Sequence, residues 1–313
     1  MRSDRGDYGI RWAVVASIAL LAMSCLHVLG VSLDLASAVA PIWTSAKLIL
    51  LLPPLMALGW AVPRLARITA VPTDFVLSLV QLTIGVLVIA PISYVAAALA
   101  ARVPLLDDTL ARLDMVLFGF DWDVAARWVD ARPVIEQGLS IAYFNLPVQL
   151  MGLLVIGSFR RPGDRNGDLI WIMIISSCIT IGISMFTPAL GRIGHLGTAQ
   201  VDVLNEIRSG AWHVFTYERF EGIINFPSLH TALALVFTYV AARLHRWALA
   251  VFAPINAVML LSISPIGGHY LVDICGGAGV AVVSIVIGRM LRQRGSSAVG
   301  VEWNRSVRGA AVT

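Results

Sequence analysis

The chain carries little charge for its length. Charged residues make up 13% of its 313 residues, about half the share usual in globular proteins, and 58% of the residues are hydrophobic. The hydrophobic residues come in long runs, and a run of about 20 residues crosses the hydrocarbon of a bilayer. This composition excludes a soluble globular protein and predicts an integral membrane protein.

Cysteine is also scarce, since the chain has only Cys25, Cys178 and Cys275, each within an apolar run. None of the three has a partner at the spacing of metal ligands. We interpret them as small apolar packing residues rather than disulfide partners or ligands. The sequence also lacks internal repeats and low-complexity tracts, which favours one membrane domain.

Eight apolar runs predict an all-α, polytopic transmembrane helix bundle of about eight spans. The runs are Trp12–Leu33, Leu48–Val62, Phe75–Ala101, Val134–Ser158, Leu169–Phe186, Thr231–Leu244, Trp247–Ile266 and Tyr270–Leu291. We divide the chain into two N-terminal spans (1–72), a six-span catalytic core (73–294) and a cytoplasmic tail (295–313). Ala36–Ala38 resembles a signal-peptide cleavage site, but the first run exceeds a signal's apolar region, so we favour a retained anchor.

Basic residues alternate between successive connections of these spans. One set of connections, which includes both termini, holds most of the 23 lysines and arginines on short stretches of chain. The other set holds fewer, spread mostly over two long loops. By the positive-inside rule the termini are cytoplasmic, and the two long loops face the other side of the membrane.

The first of these long loops, Val103–Pro133, has an amphipathic pattern. Leu106, Leu110, Leu113 and Leu117 recur at steps of three and four residues. We therefore predict a helix that lies flat at the membrane interface. Its expected anchors are the aromatic residues Phe118, Trp122 and Trp128.

A candidate anion site lies in Asn225–His230, immediately before the sixth run. Pro227 suits the first turn of a helix, and the free N–H groups of that turn attract anions. Ser228 can add a hydroxyl donor, and His230 lies in the same turn. The alternative for this segment alone is a capped helix start with an interfacial histidine.

A second cluster, His269 and Asp273, opens the last run. Residues four apart share one helical face, so the carboxylate can accept an N–H from the ring and leave the other ring nitrogen with its lone pair outward. This arrangement prepares a histidine as a nucleophile or base. The alternative is a helix-start ion pair that serves only packing.

The two clusters lie at one membrane depth on spans separated by a single span, which favours a joint site. Ionisable residues in a membrane are costly and indicate function. Arg192, in the turn after Pro188, could hold a phosphate with two hydrogen bonds. Its alternative is an arginine that reaches for the membrane surface without a ligand.

These motifs resemble the type 2 phosphatidic acid phosphatase superfamily, and most closely its branch of inositol-phosphorylceramide synthases, sphingomyelin synthases and their bacterial relatives. The resemblance rests on Phe226–Thr231, Gly268–Asp273 and Leu117–Trp122, and it covers about Asp107 to Gly279. The superfamily's lysine and Arg-Pro motif has no counterpart here. Where its last motif has Ser-Arg, this chain has Ser262 and Ile263. Two of the superfamily's usual phosphate ligands are therefore missing, and the transferase branch commonly lacks them too.

The resemblance implies a phosphotransferase with a phosphohistidine intermediate. His269, oriented by Asp273, would attack phosphorus, and His230 would serve as general acid and then as base, with Ser228 and Arg192 as phosphate ligands. It implies a lipid phosphate donor, a hydroxyl acceptor, no cofactor, no metal and no nucleic acid. The bacterial relatives imply a bacterial inner membrane, and the distribution of basic residues then predicts that the site is on the periplasmic face.

Three other functions fit parts of the same pattern. With water as acceptor the same chemistry gives a lipid phosphate phosphatase. A proton-coupled transporter would use His230, His269 and Asp273 as a relay, but paired broken helices near mid-membrane would then be expected. The same three residues are also acceptable zinc ligands. The sequence does not identify the donor headgroup, the acceptor or the oligomeric state.

Overall fold

A computed structural model describes residues 2–34, 36–38, 54, 58, 62, 66–160, 165–192 and 199–310. The helices of this described part are α1 (Arg2–Val28), α2 (Ala66–Leu99), α3 (Asp107–Phe118), α4 (Trp122–Asp130), α5 (Pro133–Tyr143), α6 (Leu146–Arg160), α7 (Arg165–Ser184), α8 (Ala199–Ser209), α9 (Leu229–Leu244), α10 (Arg246–Ile263) and α11 (Leu271–Ala310). Two short strands, β1 (Ser32–Leu33) and β2 (Val214–Phe215), pair in parallel. The protein is an all-α polytopic bundle, as the apolar runs predict.

Within the described part of the chain, four helical segments are long and apolar enough to cross a membrane: Thr69–Leu99, Asn166–Ser184, Arg246–Ile263 and Leu271–Arg292. Helices α5 and α6 form a fifth candidate as a pair bent by 45°. Two shorter apolar helices, Trp12–Val28 and Leu229–Leu244, correspond to the first and sixth predicted runs. The second predicted run lies, apart from isolated positions, outside the described residues. These helices identify an integral membrane protein.

Helix α9 lies at the centre of the bundle, in contact with α6, α7, α10 and α11. Its inward positions are small or apolar, and Ala232, Ala234, Val236 and Phe237 are at most 1% exposed. A helix that is apolar on most sides is stable only when other helices or lipid surround it. Because α9 is enclosed, the rest of the bundle holds its first turn, with His230, in place.

An aromatic cap covers the end of the bundle where α9 begins. Tyr94 of α2 packs its ring against Trp212, Phe215 and Phe220, with centroids 5.0 to 5.8 Å apart. The Tyr94 hydroxyl accepts the Glu221 N–H at 2.8 Å. The pairing of β1 with β2 attaches the chain after α1 to the same cap. The cap therefore joins α1 and α2 to the segment that leads into α9.

The predicted interfacial segment forms two helices rather than one, because α3 ends at Gly119, whose φ is 61°. The four leucines of the predicted amphipathic pattern do not all have the same surroundings. Leu110 is 3% exposed within the protein, whereas Leu113 and Leu117, at 38% and 61%, lie on the outer surface. The second buried residue of α3 is a carboxylate, Asp114. Helix α3 therefore uses its inner face to contact the start of α11.

All three cysteines are unpaired thiols, so the chain has no disulfide. Cys25 is partly buried beside the aromatic cap. Cys178 and Cys275 are exposed on helices that cross the membrane, so their packing partner is the bilayer rather than the protein core.

Candidate active site

The turn before α9 is built by Ser228. Its hydroxyl oxygen accepts the Thr231 N–H at 3.3 Å and caps the helix, and its own N–H donates to the Asp273 carbonyl at 3.1 Å. Ser228 is fully buried. The cap explains why a serine stands here, because a side-chain oxygen satisfies one of the free N–H groups of a helix start. The turn before α9 is thereby joined directly to the start of α11.

His269 and Asp273 form the hydrogen-bonded pair that their spacing predicts. His269 Nδ1 lies 3.2 Å from Asp273 Oδ2, which also accepts the Tyr270 N–H at 2.8 Å. The histidine is 4% exposed and the aspartate fully buried. Among the described residues, Asp273 Oδ1 has no hydrogen-bond partner. A proton on Nδ1 satisfies Oδ2 and leaves Nε2 with a lone pair, which is the tautomer that a nucleophilic histidine needs.

His230 lies next to this pair and is oriented by an aromatic ring. Its imidazole stacks on Tyr143, with centroids 4.3 Å apart and planes inclined by 16°. The centroids of His230 and His269 are 6.4 Å apart, and their planes are inclined by 60°. Both rings line one cavity of about 270 Å³. The structure thus brings together the three residues predicted to react.

Two glycines permit the close approach of the segments that carry these residues. Gly277 of α11 faces the Ser228 carbonyl and Thr231 Cβ, and a methyl group there would collide with that backbone. Gly268 has a φ of 69° and packs against the Arg192 carbonyl, where a side chain would also collide. Both glycines keep His269 and His230 on adjoining turns.

Arg192 is close to the site by its backbone but not by its side chain. Its N–H donates to the Gly268 carbonyl at 2.7 Å, so the Arg192 turn and the His269 turn are bonded. Its guanidinium is exposed, 5.8 Å from the centroid of the Tyr270 ring. It lines outer clefts with Asp107 and Asp121, separate from the cavity that the two histidines line. Ser228 does not line that cavity either.

Asp114 of α3 holds the start of α11. Its two carboxylate oxygens accept the N–H groups of Leu271 and Val272 at 2.7 and 2.9 Å, and the residue is 2% exposed. A carboxylate is favourable at a helix N-terminus, where free N–H groups and the helix dipole are both positive. Asp114 therefore positions the first turn of the helix that carries Asp273.

Asp107, the first residue of the same helix α3, holds the turn that contains Arg192. It accepts the N–H groups of Leu190 and Gly191 at 3.0 and 2.8 Å, and its Oδ1 lies 3.2 Å from the Tyr270 hydroxyl. Burial, and next the Asp107 charge, raise the pKa of Tyr270 above its ordinary value, so the phenol stays protonated and donates. Together Asp107 and Asp114 bind the Arg192 turn and the His269 turn to one helix.

Our sequence reasoning missed both of these carboxylates. The available signal was the position of Asp114, four residues after Leu110 and three before Leu117 on the predicted apolar face. It also missed Tyr143, the ring under His230, for which the sequence carries no signal. No group of three His, Cys, Asp or Glu residues in the described part of the chain is arranged to hold a metal ion.

A comparison with protein families gives one match, in which the model of the PAP2 superfamily matches residues 108–287. That segment begins in α3, ends in α11, and contains every residue predicted to react. Neither the curated proteins nor the solved structures include a match. The match covers more than half of the chain, so this protein is a member of the PAP2 superfamily, whose chemistry is phosphatase- or phosphotransferase-type reaction of lipid phosphates.

Proposed function

We propose that the protein is a membrane-embedded lipid phosphotransferase that moves a phospho-headgroup from a lipid donor to a hydroxyl acceptor through a phosphohistidine. The observation that carries the proposal is the buried His269–Asp273 pair facing His230 across one cavity. The motifs around these residues favour the branch of inositol-phosphorylceramide and sphingomyelin synthases. An inositolphosphotransferase-like reaction is therefore the activity that we test first.

In the first step, Nε2 of His269 attacks phosphorus and the bond from phosphorus to the departing oxygen breaks. For this step His230 carries a proton, which the negative charge of the bound phosphate favours, and gives it to that oxygen. Asp273 stabilises the positive charge that develops on the His269 ring. The products are a phosphorylated His269, a neutral His230 and the released alcohol.

In the second step, the hydroxyl of the acceptor attacks the phosphorus of the phosphohistidine. His230 takes the hydroxyl proton, and the bond from phosphorus to nitrogen breaks. Both histidines return to their initial state, so the cycle consumes one donor and one acceptor. Ring centroids 6.4 Å apart are compatible with one histidine on each side of a phosphoryl group.

Two further residues are proposed as phosphate ligands. The Ser228 hydroxyl caps α9 and is buried outside the cavity, so Ser228 would act through the N–H groups of the helix turn that it begins. Arg192 carries a guanidinium on the turn that is bonded to Gly268. For Arg192 to act, its side chain must turn from the outer cleft toward the histidines. Arg192→Lys should then raise KM for the donor, because lysine cannot form two parallel hydrogen bonds with phosphate.

We also propose that the site faces the periplasm from a bacterial inner membrane. The histidines, Arg192 and the aromatic cap belong to connections that the distribution of basic residues assigns to the non-cytoplasmic side. In a cell with Cys25, Cys178 and Cys275 replaced, an impermeant thiol reagent should label a cysteine placed at Gly197 and spare one at Gly163. The opposite pattern would reverse the proposed orientation.

The activity test supplies the purified protein with a lipid whose headgroup phosphate is radiolabelled, with and without a ceramide acceptor. We expect a new labelled lipid that requires the acceptor and is absent with His269→Ala. Release of free phosphate independent of the acceptor would instead indicate a lipid phosphate phosphatase. If neither product forms and no phosphoprotein can be trapped, the proposed function is wrong.

The chemical stability of the trapped phosphoprotein distinguishes a reaction through phosphohistidine from a metal-dependent reaction. Phosphate on a ring nitrogen is labile in acid and stable in base, unlike phosphate on a hydroxyl. Vanadate, which mimics five-coordinate phosphorus, should inhibit, and a strong chelator should not. Loss of activity on chelation with recovery on addition of zinc would assign His230, His269 and Asp273 to a metal site.

A further inference from the structure

The cavity lined by the two histidines extends far into the membrane. It follows α2 from Ser93 to Gln81, twelve residues or about 18 Å along a helix axis. On the opposite side it follows α7 from Ile181 to Ile170. Its volume is about 270 Å³, and apart from the histidine end its walls are mostly aliphatic. A narrow, apolar cavity of this length matches an extended hydrocarbon chain rather than a sugar or an inorganic ion.

One wall of this cavity lies outside the segment that matches the superfamily. Helix α2 ends at Leu99, and the match begins at residue 108. Val86 of α2 lines the cavity and is 57% exposed, which indicates an opening toward the surface that lipid covers. The wall beside the deep, apolar part of the cavity is thus formed in part by a helix that lies outside the matched segment.

We propose that this cavity binds one hydrocarbon chain of the lipid substrate, and that α2 sets the chain length that the enzyme accepts. The inference rests on the proposed function, because it places the phosphate of the same lipid between His230 and His269. The chain then runs from the histidines toward Gln81, and burial of its methylene groups adds to binding. The selection of chain length is assigned to α2 because the histidines contact only the phosphate end of the lipid.

Gly85 is the position that tests this inference. It is buried, and it lines the cavity one helical turn from Gln81. No atom of the described residues outside its own helix backbone lies within 4 Å of where its side chain would begin. Gly85→Phe would therefore fill the cavity without a clash at the first carbon. Gly182 of α7 has the same open surroundings but does not line the cavity, so Gly182→Phe is the matched control.

The experiment uses the full-length protein in lipid nanodiscs and a phosphatidic acid with a photoreactive diazirine at the end of one acyl chain. Peptide mapping should place the crosslink on α2 or α7 near Gln81 and Ile170. Gly85→Phe should reduce that crosslink about tenfold, since a phenyl ring displaces roughly two methylene groups of the chain. Gly182→Phe should leave it unchanged.

Competition between the photoreactive probe and unlabelled phosphatidic acids gives a second measurement. Dipalmitoyl phosphatidic acid should displace the probe better than the dihexanoyl lipid from the wild type, and Gly85→Phe should remove that difference. Equal crosslinking in both variants, or crosslinks confined to outward residues such as Val282 and Leu261, would overturn the inference. If Gly85→Phe does not fold, Gly85→Leu takes its place with the same expectation. Crosslinking needs no turnover, so it can succeed even where no phosphohistidine forms and the proposed function fails.

Discussion

Two buried aspartates lie toward opposite ends of the bundle, and their surroundings differ. Asp74, near the start of α2, accepts hydrogen bonds from Ser158 and Asn166 at 3.1 and 3.0 Å. The Asn166 amide also donates to Ser158, so the three side chains are hydrogen-bonded to one another. None of them lines the histidine cavity. Asp273, by contrast, shares Oδ2 between His269 and the Tyr270 N–H, and His269 borders the cavity.

The difference shows how a buried carboxylate in a membrane can serve either structure or chemistry. A charge in the hydrocarbon is costly, so each aspartate needs donors around it. At Asp74 the donors are polar side chains that hold three helices together. At Asp273 one donor is a histidine that can change its protonation and form a covalent bond. What sets Asp273 apart from Asp74 is its histidine partner, which borders the cavity, rather than burial alone.

The largest expected effect is that of His269→Ala, which should abolish turnover and the trapped phosphoprotein because it removes the nucleophile itself. Activity on the radiolabelled lipid and the acid-labile label should both vanish. The elution profile in detergent should match that of the wild type. Wild-type turnover in His269→Ala would refute the assigned nucleophile.

Asp273→Asn should reduce kcat by about 10⁴-fold and leave measurable activity, by analogy with the aspartate of a serine protease triad. An amide cannot stabilise the positive ring and can favour the wrong tautomer, but it leaves the nucleophile in place. Single-turnover measurement of phosphohistidine formation checks the value. A rate equal to that of the wild type would place Asp273 with Asp74 as a structural residue.

Asp114→Asn tests whether the second buried carboxylate near the site positions His269. An amide can accept only one of the two N–H groups of Leu271 and Val272, so the start of α11 should shift and kcat should fall by about 10²-fold. KM for the donor should stay constant, because the cavity walls are untouched. Asp121→Asn is the control, since Asp121 also accepts two N–H groups at a helix start, that of its own helix α4, but with the single oxygen Oδ1. Equal effects of both changes would contradict a positioning role.

Asp74→Ala should have the smallest effect on catalysis and a measurable effect on stability. Ser158 and Asn166 would lose a buried acceptor, which lowers the free energy of unfolding by about 1–3 kcal/mol. Thermal unfolding in detergent checks that loss, and kcat of the folded fraction should match the wild type. A large fall in kcat at unchanged stability would mean that the two aspartates do not differ as described.

Much of this protein was predictable from local patterns. The apolar runs that the structure describes correspond to helices, because a backbone in lipid must satisfy its hydrogen bonds internally. The spacing of His269 and Asp273 predicted their hydrogen bond, although His269 precedes α11 and Asp273 reaches back to it across the helix start. The motifs around His230 and His269 indicated the superfamily that the comparison then identified.

Contacts between distant segments were decided by the tertiary structure alone. Asp114 bonds to residues 157 and 158 positions away, and Tyr143 stacks on His230 from a different helix. The cavity wall on α2 lies outside the recognisable motifs altogether. No local pattern encodes such contacts, because they depend on which helix faces pack together once the bundle has formed. The sequence alone determined the helices and the residues that we propose to react, and the packing determined what holds and surrounds them.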